Sequence, residues 1–271
     1  MFSVLMAFYR GDNPLFLQES FNSILLNPVG VNELVCVQDG VVDEEHLKII
    51  SSARDSFVEA GITFNYVKLE KNVGLGLALK EGVKHCREDY IVRMDSDDIS
   101  LENRFSELSD FVKKFPDIDL VGAQIEEFCL QVGDLKRKRL VPIESASIKE
   151  FSKYRNPMNH VTVCIKKTAL FDVGGYESVI WHEDYYLWMK FIKYNKNIKN
   201  IDSVHVYVRV SDFSSRRSGL RYFKEEVNFV KKVYGLGVFT TYDCFKYISI
   251  RFVARFSPSF INDFIYKFIR R

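Results

Sequence analysis

Three aspartates within four residues, Asp95-Ser96-Asp97-Asp98, are the part of the sequence best suited to chemistry. They directly follow an apolar run, residues 90–94, which predicts a buried strand. Two carboxylates one residue apart at a strand end can reach a single divalent cation, or one can bind the metal while the other accepts a sugar hydroxyl. Mg²⁺ and Mn²⁺ prefer such oxygen ligands, and oxygen atoms of substrate phosphates usually complete their coordination. An acidic turn that caps the next helix is the alternative, and the tetrapeptide alone favours neither.

A second acidic pair, Glu183-Asp184, lies in the aromatic segment Trp181–Tyr185 at the predicted start of a helix. Carboxylates in the first turn of a helix interact favourably with its dipole, by about 0.3–1 kcal/mol, and this is the structural explanation. The chemical explanation is that a carboxylate here takes a proton from a substrate hydroxyl as that hydroxyl attacks. An ordinary aspartate is ionised at pH 7, so this role needs no unusual pKa.

Two other predicted strand ends carry polar residues. Asp39-Gly40 is either an ordinary turn or a carboxylate that accepts a hydrogen bond from a nucleobase N–H. In Asn72-Val73-Gly74-Leu75-Gly76 the glycines allow backbone N–H groups and a helix N-terminus to approach a phosphate or ribose. A helix N-cap at Asn72 is compatible with that contact. The stretch is not G-x-G-x-x-G and lacks a Walker lysine, so it supports neither dinucleotide nor P-loop binding.

The histidines lack the spacing of metal ligands. His182 has no His or Cys partner three or four residues away, so it is a structural or an acceptor-contacting histidine, and His160 is open to the same two interpretations. His205 lies in an alternating pattern that predicts a strand. Further along, Ser214-Ser215-Arg216-Arg217 offers hydroxyls and guanidinium groups suited to diphosphate oxygens, with exposed, solvated arginines as the alternative.

These residues need a scaffold that brings strand ends together. Short apolar runs followed by helical patterns recur along the chain, which predicts βαβ units and a parallel sheet. The predicted strands are Ser3–Tyr9, Glu33–Gln38, Thr63–Leu69, Tyr90–Met94 and Asp119–Glu127, and helices are predicted near Leu15–Leu26, Glu44–Ala60 and Glu183–Tyr194, and also after Gly74 and after the aspartate cluster. Residues 131–150 indicate a solvated excursion or hairpin, and His160–Lys166 an extended stretch. Because ligands bind beyond the carboxyl ends of such strands, Asp39, Asn72 and the aspartate cluster are expected to converge on one crevice.

Length and composition narrow the class of protein. A chain of 271 residues fits one large α/β core with a small appendage. Its net charge of +2, from 38 basic and 36 acidic residues, does not indicate nucleic-acid binding. Five scattered cysteines without a C-x-x-C pair indicate neither disulfides nor zinc and fit a reducing cytosol. The apolar N-terminus lacks a basic leader and a cleavage site, so we expect a first strand there, and no window approaches the ~20 apolar residues that span a bilayer.

Taken in order, these segments resemble family 2 glycosyltransferases of the GT-A fold over residues 2–218. The resemblance rests on the strand Ser3–Tyr9, on Gln38-Asp39-Gly40, on Asn72–Leu75, on Met94–Ile99 with Arg104-Phe105 behind it, and on Gly174-Gly175-Tyr176 followed by Glu183-Asp184. It implies an α/β, Rossmann-like, mixed and mainly parallel sheet flanked by helices, with a C-terminal amphipathic helical extension. The implied boundaries are a catalytic domain at 1–218, divided into a nucleotide-sugar half at 1–127 and an acceptor half at 128–218, and the extension at 219–271.

The resemblance also implies a role for each matched residue. Asp39 contacts the uracil, and Asp95 contacts the ribose or the donor sugar. Asp97, together with Asp95, holds the Mn²⁺ or Mg²⁺ at the leaving UDP. Asp184 is the base of a single inverting displacement, and Glu183 belongs to the same catalytic pair. The remaining donor-binding residues are Asn72, Gly74, Arg216 and Arg217, and the acceptor-binding residues are His160, Gly175, Tyr176, Trp181 and His182.

The match to the family's metal ligands is incomplete. Many relatives carry a metal-binding histidine two residues after the arginine that corresponds to Arg209, whereas this chain has Ser211 there. The resemblance therefore leaves a third protein ligand to the metal in doubt.

The Asp-Ser-Asp-Asp and His-Glu-Asp-Tyr sequences are similar to those of bacterial enzymes of O-antigen and exopolysaccharide assembly. That similarity implies transfer of glucose or galactose from a UDP-sugar, in β1,3 linkage, to an N-acetylhexosamine on undecaprenyl diphosphate. The basic and aromatic tail, Phe239–Arg271, has Phe245, Phe252 and Phe256 and then Phe260, Phe264 and Phe268 at helical spacings, which predicts an amphipathic helix on a membrane surface. We therefore expect a cytoplasmic protein, peripheral on the cytoplasmic face of the inner membrane. Packing of the tail on the core, or a homodimer, is the alternative.

Two other functions compete with this hypothesis. A sugar-phosphate nucleotidyltransferase normally has a glycine-rich, basic loop after its first strand, and Phe8–Asp12 is a poor match to such a loop. The second competing function is that of a non-catalytic subunit that binds UDP-sugar within an assembly complex. The presence of both acidic clusters argues against it.

Overall fold

A computed structural model of the chain describes residues 1–210 and 219–256. The predicted diphosphate ligands Arg216 and Arg217, together with Ser211 and the last part of the predicted tail from residue 257 onward, lie outside the described residues.

The strands of the described residues are β1 Phe2–Phe8, β2 Val31–Asp39, β3 Thr63–Leu69, β4 Tyr90–Met94, β5 Ile99–Ser100, β6 Leu120–Phe128, β7 Arg137–Arg139, β8 Cys164–Lys166 and β9 Ile198–Arg209. The helices are α1 Pro14–Leu25, α2 Glu44–Glu59, α3 Leu75–His85, α4 Arg104–Lys114, α5 Ser145–Phe151, α6 Lys167–Asp172, α7 Glu183–Lys193, α8 Gly219–Gly235 and α9 Thr241–Phe256. The predicted strands and helices agree with these bounds to within two residues.

The strands form one sheet, in the order β3-β2-β1-β4-β8-β6-β9-β5, with β7 paired to β6. Strands β3, β2, β1 and β4 are parallel neighbours. Strand β8 runs antiparallel between β4 and β6, and β9 is parallel to β6. The predicted mixed, mainly parallel sheet with flanking helices is confirmed.

The apolar core lies on both faces of this sheet. Successive side chains of a strand point to opposite faces, so Val4 and Met6 of β1 pack with residues of α1, α2 and α4, whereas Leu5 and Ala7 pack with residues of α3, α6 and α7. A strand buried on both faces has no polar positions to alternate with apolar ones. This explains why residues 2–8 are apolar except for Ser3.

A third apolar cluster joins α7 to the C-terminal helices, with Tyr185 and Met189 on α7, Phe229 and Val233 on α8, and Tyr247 on α9. The described part of the predicted C-terminal extension therefore packs on the α/β core.

The described part of the tail corrects the expectation that its basic residues face a membrane. Glu226 of α8 is only 2% exposed and accepts a hydrogen bond from Arg255 of α9 at 2.8 Å, and Arg251 lies 3.5 Å from the same carboxylate. A buried carboxylate needs such partners. Arg251 and Arg255 thus face the interior, whereas Phe245 and Phe252 remain 72% and 54% exposed. Across residues 1–210 and 219–256, every helix is too short or too polar to cross a membrane.

Two local predictions are wrong. The N-cap of α3 is Gly74, at φ +86°, while the Asn72 side chain donates a hydrogen bond to the Asp39 carbonyl at 3.3 Å. Glycine adopts this left-handed conformation without a steric penalty, and Asn72 is used to join two strand ends. The stretch from His160 to Lys166 begins with a 3₁₀ turn, His160–Thr162, and only its second half is strand β8.

Candidate active site

A cleft of about 370 Å³ opens beyond the carboxyl ends of β1, β2 and β4. It is lined by Ala7, Phe8, Tyr9, Asp12, Asp39, Asn72, Gly74, Leu75, Ala78, Arg93, Asp95, Ser96 and Asp97. Parallel strands end at the same edge of a sheet, which is why polar residues distant in sequence meet here. Among the predicted site residues that the structure describes, five line the cleft: Asp39, Asn72, Gly74, Asp95 and Asp97.

Asp39 joins the end of β2 to the loop before α3. Its two carboxylate oxygens accept hydrogen bonds from the backbone N–H groups of Val73, at 2.7 Å, and Gly74, at 3.0 Å. The next residue, Gly40, has φ +88°, and a Cβ there would lie 2.6 Å from the backbone nitrogen of Asn72, so this close approach requires glycine. Each carboxylate oxygen retains a second lone pair that a ligand can use.

Asp95 is held by a buried cation. The Arg93 guanidinium, 1% exposed, donates one hydrogen bond to the Leu5 carbonyl at 3.3 Å and another to the Asp95 carboxylate. The Ser20 hydroxyl donates to the Asp95 carbonyl at 2.8 Å. Sequence reasoning missed the role of Arg93. The available signal was a charged residue inside an apolar strand, because buried arginines are almost always paired.

Asp97 and Asp98 have different surroundings. Asp98 is buried and accepts a hydrogen bond from the Arg209 N–H at 2.9 Å, and burial, followed by the carboxylates of Asp95 and Asp97, raises its pKa well above its usual value. Asp97 is exposed at the cleft, and its pKa is raised to about 6 by partial desolvation and then by the carboxylates of Asp95 and Asp12. Asp97 is therefore accessible to a ligand, whereas Asp98 fastens the loop to β9.

Asp12 is a fourth acid in this cleft, and sequence reasoning missed it. Its carboxylate accepts hydrogen bonds from the Tyr9 N–H at 3.1 Å and the Ser96 hydroxyl at 2.8 Å. Desolvation raises its pKa above the usual value. Its position just after β1 was the signal that could have found it, since the other cleft acids also follow strand ends.

The donor set of the cleft suits a hard cation bound together with a substrate. No three His, Cys, Asp or Glu side chains in the described ranges converge closely enough to hold a metal alone. Mg²⁺ and related cations are commonly bound by one or two carboxylates plus substrate phosphates. Asp95 and Asp97 line the cleft. Desolvation first, and then the carboxylates of Asp95 and Asp12, raise the pKa of Asp97, and a bound cation would stabilise its ionised form. These residues fit Mn²⁺ or Mg²⁺ in the presence of a diphosphate.

The second acidic pair lies beside the start of α3. A Cβ added at Gly76 would lie 3.2 Å from the Glu183 Cβ, so α3 and the start of α7 are in close contact. The Asp184 carboxylate accepts hydrogen bonds from the Asn156 side chain at 2.5 Å and the Tyr185 N–H at 2.7 Å. Desolvation raises the pKa of Glu183 to about 7, with Asp184 and then Asp95 as further causes. The two acidic clusters therefore lie within electrostatic range of each other.

The predicted acceptor residues are more scattered, and none of the five lines the cleft in the part of the chain that the structure describes. His160 is hydrogen-bonded to the buried Tyr176 hydroxyl at 2.9 Å, and desolvation lowers the pKa of His160. The Gly175 carbonyl accepts a hydrogen bond from Lys190 at 2.5 Å. His182 is buried and stacks on Phe229 at 5.0 Å. Trp181 is 44% exposed, beside the acidic pair. Of these five residues, Trp181 is the one most open to solvent next to the acids.

The chain is similar to known proteins over nearly its full length. The chain matches the family model described as Glycosyl transferase family 2 over residues 3–180. It is 37% identical to UDP-Gal:alpha-D-GlcNAc-diphosphoundecaprenol beta-1,3-galactosyltransferase of Escherichia coli, over 100% of this chain and 96% of that protein. It is 32% identical to the amylovoran biosynthesis glycosyltransferase AmsE of Erwinia amylovora, over 98% of each chain.

A solved structure shows the same fold at low sequence identity. It is that of the mannosyltransferase PcManGT from Pyrobaculum calidifontis in complex with GDP-Man and Mn²⁺, with a TM-score of 0.68 and 12% identity over 94% of this chain and 70% of that one. The family match and the full-length relatives support a glycosyltransferase rather than a nucleotidyltransferase or a non-catalytic subunit. The chain belongs to glycosyltransferase family 2, has the GT-A fold, and is a hexosyltransferase.

Proposed function

We propose that this enzyme transfers galactose or glucose from a UDP-sugar, with inversion and in β1,3 linkage, to an N-acetylhexosamine carried on a diphosphate lipid. The product is a repeat-unit intermediate of an O-antigen or exopolysaccharide. The observation that carries the proposal is the proximity of the Glu183-Asp184 pair to the Asp95–Asp97 cleft, across the start of α3. The substrates are supported by the 37% identity to the Escherichia coli galactosyltransferase over 96% of its length.

The cleft residues bind the donor. Asp39 accepts a hydrogen bond from the uracil N–H with its free lone pairs, and Asn72 and the Gly74 end of α3 lie against the ribose and diphosphate, where a helix N-terminus favours an anion. Asp95 and Asp97 hold Mn²⁺ or Mg²⁺, which when bound neutralises charge on the leaving UDP. Arg93 keeps the Asp95 carboxylate pointing into the cleft. Arg216 and Arg217 are proposed as additional diphosphate ligands on the sequence alone.

Asp184 accepts the proton of the acceptor hydroxyl. That hydroxyl attacks the anomeric carbon from the face opposite UDP, and the bond to the UDP oxygen breaks as the new glycosidic bond forms, which inverts the configuration. Asn156 and the Tyr185 N–H fix the Asp184 carboxylate for this step. Glu183, with a pKa near 7, carries a proton for part of the time at neutral pH and can donate a hydrogen bond to the acceptor.

The acceptor lipid places the enzyme at a membrane, and we propose peripheral binding on the cytoplasmic face of the inner membrane. The support from the described residues is the exposed aromatic face of α9, which includes Phe245 and Phe252. Exposed aromatic residues of an amphipathic helix enter the membrane interface readily. A homodimer that buries the same face is the competing explanation.

One assay tests the catalytic proposal. The purified protein is incubated with Mn²⁺, a panel of UDP-sugars and a synthetic N-acetylhexosamine diphosphate lipid, and the linkage of the product is determined by NMR. We expect transfer from UDP-galactose or UDP-glucose and its loss in Asp184→Asn, with the exposed Asp55→Asn as the matched control. Failure of the wild-type protein to release UDP with any donor and acceptor, or wild-type turnover by Asp184→Asn, would contradict the proposal.

A further inference from the structure

The first turn of α8 supports the segment that leads into the two candidate catalytic acids. Trp181 lies three residues before Asp184 and has φ +61°, a conformation that costs a non-glycine residue about 1–3 kcal/mol. Its indole stacks on the Tyr222 ring, with 5.0 Å between the centroids and 20° between the planes. Such a backbone persists only where neighbouring groups hold it. The stacked Tyr222 ring is such a neighbour.

Tyr222 is itself held in place by its burial and by a contact with Arg255. It is buried, and the Arg255 guanidinium lies 4.5 Å over its ring. Arg255 is in turn paired with the buried Glu226 carboxylate at 2.8 Å. Because Arg255 holds the Tyr222 ring and Tyr222 stacks on Trp181, the Trp181 side chain is already ordered and loses little further entropy when a ligand binds. Trp181 therefore presents its exposed surface beside Glu183-Asp184 on a rigid support. Aromatic faces, which carry partial negative charge, attract the C–H groups of a sugar ring.

Arg221 adds a cation to this surface. It is exposed, and its guanidinium lies 5.7 Å from the centre of the Trp181 ring. Within residues 1–210 and 219–256 it forms no ion pair with a carboxylate, so its charge is available to a ligand. Three residues span at most about 11 Å between Cα atoms, which bounds the distance from Trp181, the residue that Arg221 contacts, to Asp184. That distance is on the scale of one sugar ring with its attached phosphate. The planar guanidinium matches phosphate oxygens in a two-point contact.

We propose that the start of α8 completes the acceptor site: Tyr222 positions Trp181 against the acceptor sugar, and Arg221 binds the acceptor diphosphate. The inference rests on the proposed function, because it takes the acceptor to be a sugar diphosphate. The C-terminal extension is then part of the active site as well as a surface for the membrane.

The experiment compares Arg221→Gln with Lys224→Gln, which removes the same charge from an exposed position one turn further along α8. The acceptor KM is measured at saturating UDP-sugar with an N-acetylhexosamine diphosphate lipid and with an alkyl N-acetylhexosaminide that lacks phosphate. We expect Arg221→Gln to raise the KM for the diphosphate acceptor by about tenfold or more, the value of one charge-assisted hydrogen bond, and to leave the KM for the phosphate-free acceptor unchanged. Lys224→Gln changes neither, and Arg221→Lys restores part of the loss.

Tyr222 is tested as a positioning residue. Tyr222→Ala is expected to raise the acceptor KM for both acceptors without changing the donor KM, and Tyr222→Phe to restore it, because the ring supplies the stacking. A change in melting temperature with an unchanged acceptor KM would show a purely structural residue.

Different results would overturn the proposed function and this inference about Arg221 and Tyr222. No transfer by the wild-type protein to any lipid diphosphate overturns the proposed function and this inference together. Transfer with the same diphosphate KM in Arg221→Gln and wild type, or an equal rise for both acceptors, overturns this inference alone. If Tyr222→Ala does not fold, the Arg221 comparison still decides.

Discussion

Arg93→Met removes the buried cation beneath the cleft and keeps an unbranched side chain in its place. In the wild-type protein the guanidinium is 1% exposed and bonds the Leu5 carbonyl and the Asp95 carboxylate. It also acts on the second acidic cluster, because its charge lowers the pKa of Glu183. The substitution therefore tests whether one cation serves both sides of the proposed reaction.

The expected loss of stability is small. Breaking a buried ion pair costs about 3–5 kcal/mol when the remaining charge stays buried. The Asp95 side chain is 34% exposed and stays hydrated, and methionine fills the apolar space, so we expect about 1–2 kcal/mol. For a chain of this size that corresponds to a fall in melting temperature of roughly 2–8 °C.

The expected loss of activity is larger. Without its partner the Asp95 carboxylate is free to rotate away from the cleft, and a displacement of about 1 Å in a catalytic group can lower the rate ~100-fold. The pKa of Glu183, already about 7, rises further when the cation is removed. The proposed role of Glu183 requires its protonated form, which is present below this pKa, so the basic limb of the kcat/KM profile moves to higher pH.

The assay is kcat/KM for hexose transfer as a function of pH, together with the melting temperature. Arg93→Lys restores the positive charge but not the planar guanidinium group that orients Asp95. It should therefore restore the wild-type pH profile more fully than the wild-type rate. Arg54→Met, an exposed arginine on α2, is the surface control. A folded Arg93→Met protein with the wild-type rate and an unmoved basic limb would refute the reasoning.

Three further predictions follow from named contacts. Asp97→Ala should abolish transfer and weaken Mn²⁺ binding in the presence of UDP while the melting temperature is maintained; calorimetric titration of Mn²⁺ checks this, and undiminished binding would exclude Asp97 as a ligand. Glu226→Gln should lower the free energy of unfolding by about 3 kcal/mol or more, because it leaves the inward-facing arginines of α9 without their carboxylate, whereas Glu225→Gln should change it little; urea unfolding measures both. Phe245→Ser combined with Phe252→Ser should reduce co-sedimentation with anionic vesicles without altering the fold, and unchanged sedimentation would favour the homodimer.

Much of the fold follows from local patterns. The strands Phe2–Phe8, Val31–Asp39 and Tyr90–Met94 carry apolar residues on both faces because helices cover both faces of the sheet. Polar residues after such runs predict a crevice at the carboxyl ends of the strands, and Asp39 and Asp95 lie there. A strand signal depends on neighbours a few residues away, so it can be identified without knowing the partner strand.

Local sequence patterns do not show which distant segments of the chain come into contact. Nothing near Glu183 indicates that it packs against Gly76, or that Asp95 contributes to its raised pKa. Equally, the basic residues of the tail fit a membrane-facing helix until Glu226 is seen to pair with Arg255.

The sequence by itself determined the longer strands and helices and the acids Asp39, Asp95 and Asp97 at strand ends, because backbone preference and apolar periodicity act over a few residues. Only the tertiary structure decided which acids share a cleft, that Arg93 lies beneath them, and that α8 supports Trp181. Those outcomes depend on the order of strands in the sheet and on the docking of the last helices, where contacts between residues far apart in the chain set each side chain's surroundings.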